Sequence, residues 1–519
     1  MNDDSRPTPP PSAGSFQARV NVLPPAFAHG VTRVYPRLTI GGAEADILVL
    51  LEGIGDTHMV VTEVEGLAAE RARTLAARYT KLQAPRFASL LAAMSRTSLV
   101  HLHTINDHPL APLAAQLAGA PRIVQTVHND FDCESSHFVD HSIVVAPETK
   151  WRIEAPSRST CISSGILVPP APLPRAPLGE PRRPIRLLEI RRPEKAMFVT
   201  LEQIVATGQL DDLPLEVTIV GIDGNSGDPR VRRVGAVADP TPYLAEADIV
   251  VHGSAAETFG RVVFEALAQG ALVAASPLPP FRRAASAGAA LHLFQDLSPT
   301  GAAAGVRTLL RQLEAPAAWS TTRQRNHNYV RNHHGTQLMV ARTRQVYAGV
   351  QGREPPPRNF LREDAEGDLG LFGATVDALL ERRRPPALFA GMLSPRQQAT
   401  LLWISARHGL LRRALVPAAL ERALAVLGPR HLLLLDLAKH LVAGGDVRGA
   451  LPFLAGAVEL DPDKVSPYLG LVTLHLALRQ TEPARAWYER LGARWPEHPA
   501  LAAIGQKLAG ATTEPQGRG

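Results

Sequence analysis

Two glutamates lie on either side of the start of a predicted helix in the middle of the chain. Glu257 precedes a helix that begins near Gly260, and Glu265 lies within it among Val262, Val263, Phe264, Ala266 and Leu267. A carboxylate in so apolar a segment is costly to bury unless it is hydrogen-bonded or paired. The exposed amides and the positive dipole end at the helix start favour an anionic ligand. The pattern therefore predicts two carboxylates that bind sugar hydroxyls beside backbone amides that bind a phosphate.

A short basic segment follows a predicted strand in the same half of the chain. Arg191 and Arg192 come directly after the strand, and Lys195 follows shortly after them. Fixed cations of this kind stabilise negative charge on a bound anion. A basic cluster alone is more often a solvated surface. The nearby glutamate pair is what favours a functional interpretation.

Glycines and histidines mark strand ends nearer the amino terminus. Gly41 and Gly42 separate a predicted strand from a predicted helix, where glycine lets the backbone approach a phosphate closely and the helix start supplies donors. His103 and His128 lie at the ends of two further predicted strands. A histidine in such a place is about as often a structural hydrogen-bonding group as a ligand-binding one, and both interpretations stay open.

A second group of polar residues has side chains that can bind metal ions, but their spacing does not predict a metal site. Cys133, His137, Asp140 and His141 are close in sequence, yet their spacing matches no zinc-binding pattern. The turn Gly221-Ile-Asp-Gly224 also lacks the glycine spacing of nicotinamide-binding loops. We therefore predict no metal and no cofactor.

Strand-length and helix-length apolar runs alternate through two long blocks, which is typical of βαβ units and a parallel sheet. The first domain is predicted at residues 16–170 and the second at 185–350, with proline-rich linkers at 171–184 and 351–358. We predict an α/β fold of two Rossmann-like domains facing a cleft, with the ligand at the carboxyl ends of the strands. Residues 1–15 are predicted to be a disordered tail, and 511–519 a second tail. The clearest predicted strands are 31–35, 99–103, 123–128, 186–190, 216–220, 249–252 and 271–275.

The last block, residues 359–510, is rich in Leu, Ala and Arg and carries an internal repeat of 34 residues. A 34-residue helix-turn-helix period with small residues at the packing positions is the tetratricopeptide pattern. Two repeats are clear, and a third around residues 397–430 is degraded. The first repeat's Ala450, Leu454, Ala457 and Pro462 recur as Ala484, Tyr488, Leu491 and Pro496.

The composition excludes several classes of protein. The chain has 519 residues and a net charge of +6, which is mild for this length and gives no reason to expect a nucleic-acid partner. Two cysteines exclude a disulfide framework. No run approaches the ~18 apolar residues of a spanning helix, and the amino terminus has no secretory signal pattern. We therefore predict a cytoplasmic protein, with peripheral contact at the inner membrane face left open.

The segment Glu257-Thr-Phe-Gly-Arg-Val-Val-Phe-Glu265-Ala-Leu-Ala-Gln-Gly270 resembles the retaining glycosyltransferases of the GT-B fold, family 4 or group 1 type, over residues 31–348. The resemblance implies that Glu257 contacts the transferred sugar and that Glu265 holds the nucleotide ribose. It implies that Lys195 and either Arg191 or Arg192 neutralise the donor diphosphate. It also places His128 near the sugar, the glycine loop at Gly42 opposite, and the backbone of Phe259 and Gly260 at the donor.

The resulting prediction is a retaining hexosyl- or glycosyltransferase with catalytic residues Glu257, His128 and Lys195. Its partners would be a nucleotide sugar, a glycan, glycolipid or protein acceptor, and a protein bound by the repeats, in cell-surface polysaccharide or glycoconjugate synthesis. Two alternatives remain. One is a protein-modifying transferase that recruits its acceptor through the repeats, and the other is a non-catalytic scaffold of the same fold.

Overall fold

The computed structural model describes residues 30–39, 41–55, 57–82, 86–95, 97–104, 110–129, 131–172, 184–313, 316–380 and 392–513. The predicted tail at 1–15, residues 173–183 of the first predicted linker and residues 514–519 of the second tail lie outside these ranges. Within the described ranges, no helix combines the length and the apolar character needed to cross a bilayer.

Seven parallel strands form the first sheet, in the order β3-β2-β1-β4-β5-β6-β7. Most of its strands are buried on both faces, as expected for a parallel sheet covered by helices. The strands are β1 Val31–Leu38, β2 Thr57–Glu65, β3 Arg78–Lys81, β4 Leu99–Thr104, β5 Ile123–Val127, β6 His141–Val144 and β7 Ser159–Cys161. The helices between them are α1 Gly42–Ile54, α2 Leu67–Leu75, α3 Arg86–Met94 and α4 Leu110–Leu117.

Six parallel strands form the second sheet, in the order β10-β9-β8-β11-β12-β13. They are β8 Ile185–Ile190, β9 Leu215–Val220, β10 Val231–Val234, β11 Ile249–His252, β12 Leu272–Ala275 and β13 His292–Leu293. The accompanying helices are α5 Leu201–Val205, α6 Thr241–Glu246, α7 Arg261–Gln269, α8 Pro279–Ser286, α9 Pro299–Leu313 and α10 Pro316–His334. Both sheets reverse strand order beside their first strand, which creates the switch point where ligands of such folds bind.

The predicted strands all occur, with ends shifted by a few residues, but the segment after β2 differs from the prediction. The apolar residues between 67 and 79 recur at helical spacing, which predicts a single helix there, whereas α2 ends at Leu75 and β3 begins at Arg78. The Tyr79 hydroxyl donates to Glu65 at the end of β2 at 2.6 Å. This long-range bond and the pairing of β3 with β2 hold the segment as an edge strand.

The chain returns to the first domain after α10. Helix α11 Thr336–Gln351 packs its buried face, with Met339, Val346 and Tyr347, on the core of the first sheet. Residues 336–350, which the sequence analysis assigned to the second domain, therefore pack on the first domain, because their apolar side chains find their partners there. The segment that returns to the first domain lies beside the segment that leaves it near Ile166. Ile166 N donates to His334 O at 2.7 Å, and Thr336 N donates to Ile166 O at 3.1 Å.

The second predicted linker, at 351–358, lies against the first domain rather than spanning open solvent. Arg358 donates to the carbonyl oxygens of Ala120 and Pro121 and to Asp140 Oδ2, the last at 3.0 Å. Arg122 donates to the carbonyls of Val350 and Arg353, so both sides of the contact contribute. Prolines prevent regular structure here, but arginine hydrogen bonds satisfy the carbonyl oxygens and fix the segment.

The carboxyl-terminal region is helical throughout its described elements, and antiparallel pairs follow the predicted repeat. Its helices are α12 Leu369–Leu380, α13 Pro395–Arg407, α14 Val416–Leu427, α15 His431–Ala443, α16 Val447–Leu460, α17 Ser466–Ala477, α18 Thr481–Arg494 and α19 Ala500–Thr513. The repeat positions Ala450, Ala457, Ala484 and Leu491 are fully buried. The three alanines among them are small and let the paired helices approach closely.

The helical region shares a continuous apolar core with the first domain. Phe360 lies between Phe138 of the first domain and Trp403 of α13, with ring centroids 6.3 and 4.1 Å away. Polar contacts surround this core: Lys464 Nζ donates to Ser136 O at 3.0 Å, and Arg158 forms ion pairs with Asp461 and Asp463. The repeats are therefore built onto the first domain.

Replacing Phe360 with alanine should lower the free energy of unfolding by about 3–5 kcal/mol, because it empties a site between two buried aromatic rings. Urea unfolding followed by tryptophan fluorescence measures the change. Phe198→Ala is the matched control: this ring is 49% exposed, so its loss should cost less than about 1 kcal/mol. Equal effects of the two substitutions would contradict the shared core.

Candidate functional site

Two loops at the carboxyl ends of β8 and β11 pair with each other and bring Lys195 to Glu257. Phe198 N donates to Gly253 O at 2.8 Å and Ala255 N to Ala196 O at 2.9 Å. A side chain at Gly253 would place its Cβ 1.9 Å from a carbonyl oxygen, so only glycine permits this approach. As a result Lys195 Nζ lies 3.0 Å from Glu257 Oε1.

Glu257 is the centre of a small charged group. His252, at the end of β11, places Nε2 2.9 Å from the same Oε1 that Lys195 contacts. Burial raises the pKa of Glu257, but the His252 hydrogen bond and the nearby positive charges outweigh it, so the pKa lies below its ordinary value. Glu257 is therefore an ionised hydrogen-bond acceptor at neutral pH.

The turn before α7 depends on one glycine and on an aromatic anchor. Gly260 has φ +81°, and a Cβ there would lie 2.4 Å from the Phe281 ring. Phe259 stacks on Phe264 with centroids 4.5 Å apart and is 8% exposed. The side chain of Phe259 thus anchors the turn, and the donor contact predicted for its backbone stays a prediction.

Glu265 is joined to the first domain through an arginine. Arg261, the first residue of α7, donates from Nε to Glu265 Oε1 at 2.6 Å and from Nη1 to Asp46 Oδ1 at 2.9 Å. Asp46 belongs to α1 of the first domain. One guanidinium therefore bridges a carboxylate from each domain, and it places Glu265 at the cleft. Gly42 lies there too, since its Cβ would come 3.9 Å from Arg261 Cδ.

Arg261, His252 and Asp46 are residues of this site that the sequence analysis missed, and the most deeply buried of them is Asp46. It is 1% exposed and accepts hydrogen bonds from Ser164 Oγ at 2.7 Å and Gly165 N at 3.2 Å. Burial raises the pKa of Asp46 to about 6, although Arg261 and the two hydrogen bonds act in the opposite direction. A carboxylate inside the apolar α1 is the same signal that identified Glu265 in α7, so it could have been found.

His128 lies next to Asp46, at the end of β5. Its Nδ1 is 3.9 Å from Asp46 Oδ2, and its Nε2 is 3.1 Å from His103 Nδ1. Burial lowers the pKa of His128 to about 4. The imidazole is therefore neutral at physiological pH, and its chemistry depends on which nitrogen carries the proton.

The two arginines after β8 have different surroundings. Arg191 faces the buried Glu189, 3.4 Å away, and Glu202, 3.9 Å away. The Arg192 side chain is 65% exposed, and its Nε lies 3.4 Å from Oε1 of the equally exposed Glu194. Arg191 is thus held between two carboxylates, one of them buried, whereas Arg192 has a single exposed carboxylate partner and most of its side chain is accessible.

The polar residues after β5 have separate partners. Cys133 contacts Gln125 and Ser135, and Asp140 accepts from Arg358 and from the backbone of Ile123. His137 lies 3.4 Å from Glu154, at the interface with the helical region. Among the described residues, no group of three or more potential ligands is arranged to hold a metal ion.

Gly260→Ala should destabilise the second domain by about 1–3 kcal/mol, because alanine disfavours this backbone conformation and its Cβ would collide with Phe281. Differential scanning fluorimetry and chemical unfolding measure the change. Gly349→Ala in α11, where no atom lies within 4 Å, is the control. It should be neutral or stabilising by up to about 1 kcal/mol. A tolerated Gly260→Ala would contradict the constrained turn.

Asp46→Asn should change the pH dependence of stability. A carboxyl whose pKa is higher in the folded than in the unfolded state stabilises the fold fully below the unfolded pKa, and this contribution disappears as the pH rises through the folded pKa. For a folded pKa of about 6 the loss is about 3 kcal/mol between about pH 4 and pH 7. The melting temperature of the wild type relative to Asp46→Asn should therefore fall across this range.

The exposed Asp132, with 90% of its side chain accessible, provides the matched control for this measurement. Asp132→Asn should show a melting-temperature difference from wild type that stays constant with pH. The same constant difference for Asp46→Asn would refute the raised pKa.

Comparison with known proteins is consistent with this geometry. Residues 188–312 match the family model described as glycosyl transferases group 1, and residues 418–508 match a tetratricopeptide repeat model. No curated protein matches the chain. HepE of Anabaena, solved with UDP and glucose, is similar with a TM-score of 0.51 and 13% identity, over 62% of this chain and 100% of that one.

A second solved structure, a glycosyltransferase from Rickettsia africae, is similar with a TM-score of 0.50 and 13% identity. The match covers 62% of this chain and 98% of that one. At such identities the likeness concerns the fold, and it confirms the predicted pair of parallel-sheet domains. The chain therefore has the two-domain fold of the GT-B glycosyltransferases, with a group 1 glycosyl transferase segment at residues 188–312 and a tetratricopeptide segment at residues 418–508.

Proposed function

We propose that the protein is a glycosyltransferase that moves a sugar from a nucleotide-sugar donor to an acceptor with retention of anomeric configuration. The observation that carries the proposal is the pair of glutamates at the cleft. Glu257 is held by Lys195, and Glu265 faces the first domain through Arg261. Carboxylates held in this way are ionised acceptors for sugar and ribose hydroxyls. The group 1 glycosyl transferase match includes both of them.

Each part of the donor has a partner of suitable chemistry in this arrangement. Glu265 accepts from the ribose hydroxyls and Glu257 from the transferred sugar. The diphosphate lies by the start of α7 at Gly260 and by the glycine loop at Gly42, where backbone amides and the helix dipole favour an anion. The fold neighbour from Anabaena was solved with UDP and glucose, which supports a nucleotide diphosphate sugar as the donor class.

Charge on the leaving diphosphate is the main electrostatic demand of the reaction. When the bond from the sugar to the diphosphate breaks, Lys195 and the exposed Arg192 offer fixed positive charge to the departing oxygen. Arg191 stabilises the conformation of this segment through its ion pairs with Glu189 and Glu202. In the retaining reaction the leaving phosphate accepts the acceptor's proton on the same face of the sugar.

Glu265→Gln should weaken binding of UDP and of UDP-sugars by about tenfold, because the amide replaces an ionised acceptor for the ribose hydroxyls. Isothermal titration calorimetry with UDP, UDP-glucose and other nucleotides measures the affinity. Glu216→Gln is the matched control, since Glu216 is the second residue of β9, at the amino-terminal end of the strand and away from the cleft, and pairs with Arg186. Donor hydrolysis and transfer assays then identify the activity.

Unchanged nucleotide affinity in Glu265→Gln would remove the ribose role of this residue. Absence of binding by the wild type to every nucleotide sugar tested would instead favour the non-catalytic scaffold. The two results are distinguishable because the first requires measurable wild-type affinity.

One observation favours a protein acceptor as a second candidate function. The repeats share a core with the first domain, which the resemblance to GT-B glycosyltransferases would make the acceptor side of the cleft. A polypeptide bound to the repeats would then be held in fixed relation to the site. Incubating the full chain and a labelled donor with polypeptide or glycan acceptors separates the two functions. Label transferred to glycans alone would exclude protein modification.

A further inference from the structure

A fully buried arginine begins a chain of hydrogen-bonded histidines that ends at the candidate site. Arg33 in β1, His101 and His103 in β4 are each at most 2% exposed. Arg33 Nη1 lies 2.7 Å from His101 Nδ1 and 3.4 Å from His103 Nε2. His103 Nδ1 in turn lies 3.1 Å from His128 Nε2. The rings stack, with centroids 4.2 Å apart for the first pair of histidines and 5.4 Å for the second.

The arginine determines where the protons of this chain must lie. A guanidinium stays protonated and can only donate, so each ring nitrogen that faces Arg33 must be an unprotonated acceptor. His101 therefore accepts at Nδ1, where the Tyr347 hydroxyl also lies at 2.6 Å, and carries its proton on Nε2, which donates to Thr126 Oγ1 at 2.8 Å. His103 accepts at Nε2, so its proton is on Nδ1.

The same reasoning passes to His128. Because His103 donates from Nδ1, His128 must accept at Nε2 and carry its own proton on Nδ1. That nitrogen faces Asp46 Oδ2 at 3.9 Å, which is too long for a direct hydrogen bond. Burial lowers the pKa values of all three histidines, so the rings are neutral and each holds a single proton. A neutral ring with a fixed tautomer is a donor at one nitrogen only.

We propose that Arg33 is a positioning residue that fixes His128 as an Nδ1–H hydrogen-bond donor toward the cleft. This inference rests on the proposed function: the N–H of His128 would donate to a hydroxyl of the bound sugar. In this role His128 does not act as a general base, because its basic nitrogen is occupied by His103. Tyr347 from α11 contacts His101, at the end of the hydrogen-bonded series opposite His128, so α11 helps to hold the histidines in place.

The first test measures the tautomer directly. The full-length protein, labelled with ¹⁵N-histidine, is studied by long-range ¹H–¹⁵N correlation at neutral pH, and His128 is assigned by its loss in His128→Asn. The expected result is a protonated Nδ1 and an unprotonated Nε2. A protonated Nε2 in the wild type overturns the proposal without any variant at Arg33.

The second test removes the arginine. Arg33→Met should give a mixture of His128 tautomers and lower kcat/KM for transfer about tenfold, the value of one ordinary hydrogen bond. Arg323→Met is the matched control, because Arg323 is also buried but donates to Gly270 O in the second domain. The control should leave the His128 tautomer unchanged. A single Nδ1–H tautomer in Arg33→Met overturns the proposal.

Tyr347→Phe keeps the test decisive if Arg33→Met does not fold. It removes one hydroxyl from the far end of the chain and leaves Arg33 in place, so the His128 tautomer should stay as Nδ1–H. A shift of the tautomer in Tyr347→Phe would show that Arg33 is not what fixes it. Failure of the proposed function is distinguishable, because the tautomer is measured without nucleotide, whereas nucleotide binding is measured separately.

Discussion

A guanidinium shared between two carboxylates from different domains is the interaction on which the geometry of the cleft depends. Arg261 contacts Asp46 in α1 and Glu265 in α7, and the Asp46 side chain is almost completely removed from water. Such a group is costly to bury and is retained only when its hydrogen bonds are satisfied. Ser164 and Gly165, at the crossing between the domains, provide two of those bonds. The ion pair of Arg261 with Asp46 therefore connects α1 and the first turn of α7 with the segment that crosses between the domains.

Local pattern predicted much of the fold because strands and helices follow from short-range periodicity. The bounds of α7 and the two glutamates were evident, since the glycines at its ends and the apolar run between them are all in one segment. Predictions failed where distant partners decide the structure. Residues 78–81 become an edge strand by pairing with β2, and α11 packs on the first domain because its apolar side chains fit there.

The candidate site shows the same division. Lys195 and Glu257 could be identified from the sequence, but their contact depends on the pairing of two loops that are far apart in the chain. Arg33 and Arg261 were missed because their importance comes from partners about seventy, and more than two hundred, positions away. Asp46 did carry a local signal, a carboxylate in an apolar helix, which the sequence analysis did not use. A buried arginine in a strand is a local signal, yet only the three-dimensional arrangement shows that histidines surround it.

The two segments that connect the domains run side by side, and Ile166 is hydrogen-bonded to both His334 and Thr336 of the returning segment. Two hydrogen-bonded connections favour one relative motion of the domains, a hinge rotation about the line through residues 166 and 335. Sliding of one domain along the other would break the hydrogen bonds of Ile166. Opening the cleft to release a product and closing it again would then follow a single arc. Glu265 would come back to the same place opposite α1 in every cycle, without any search among alternative orientations.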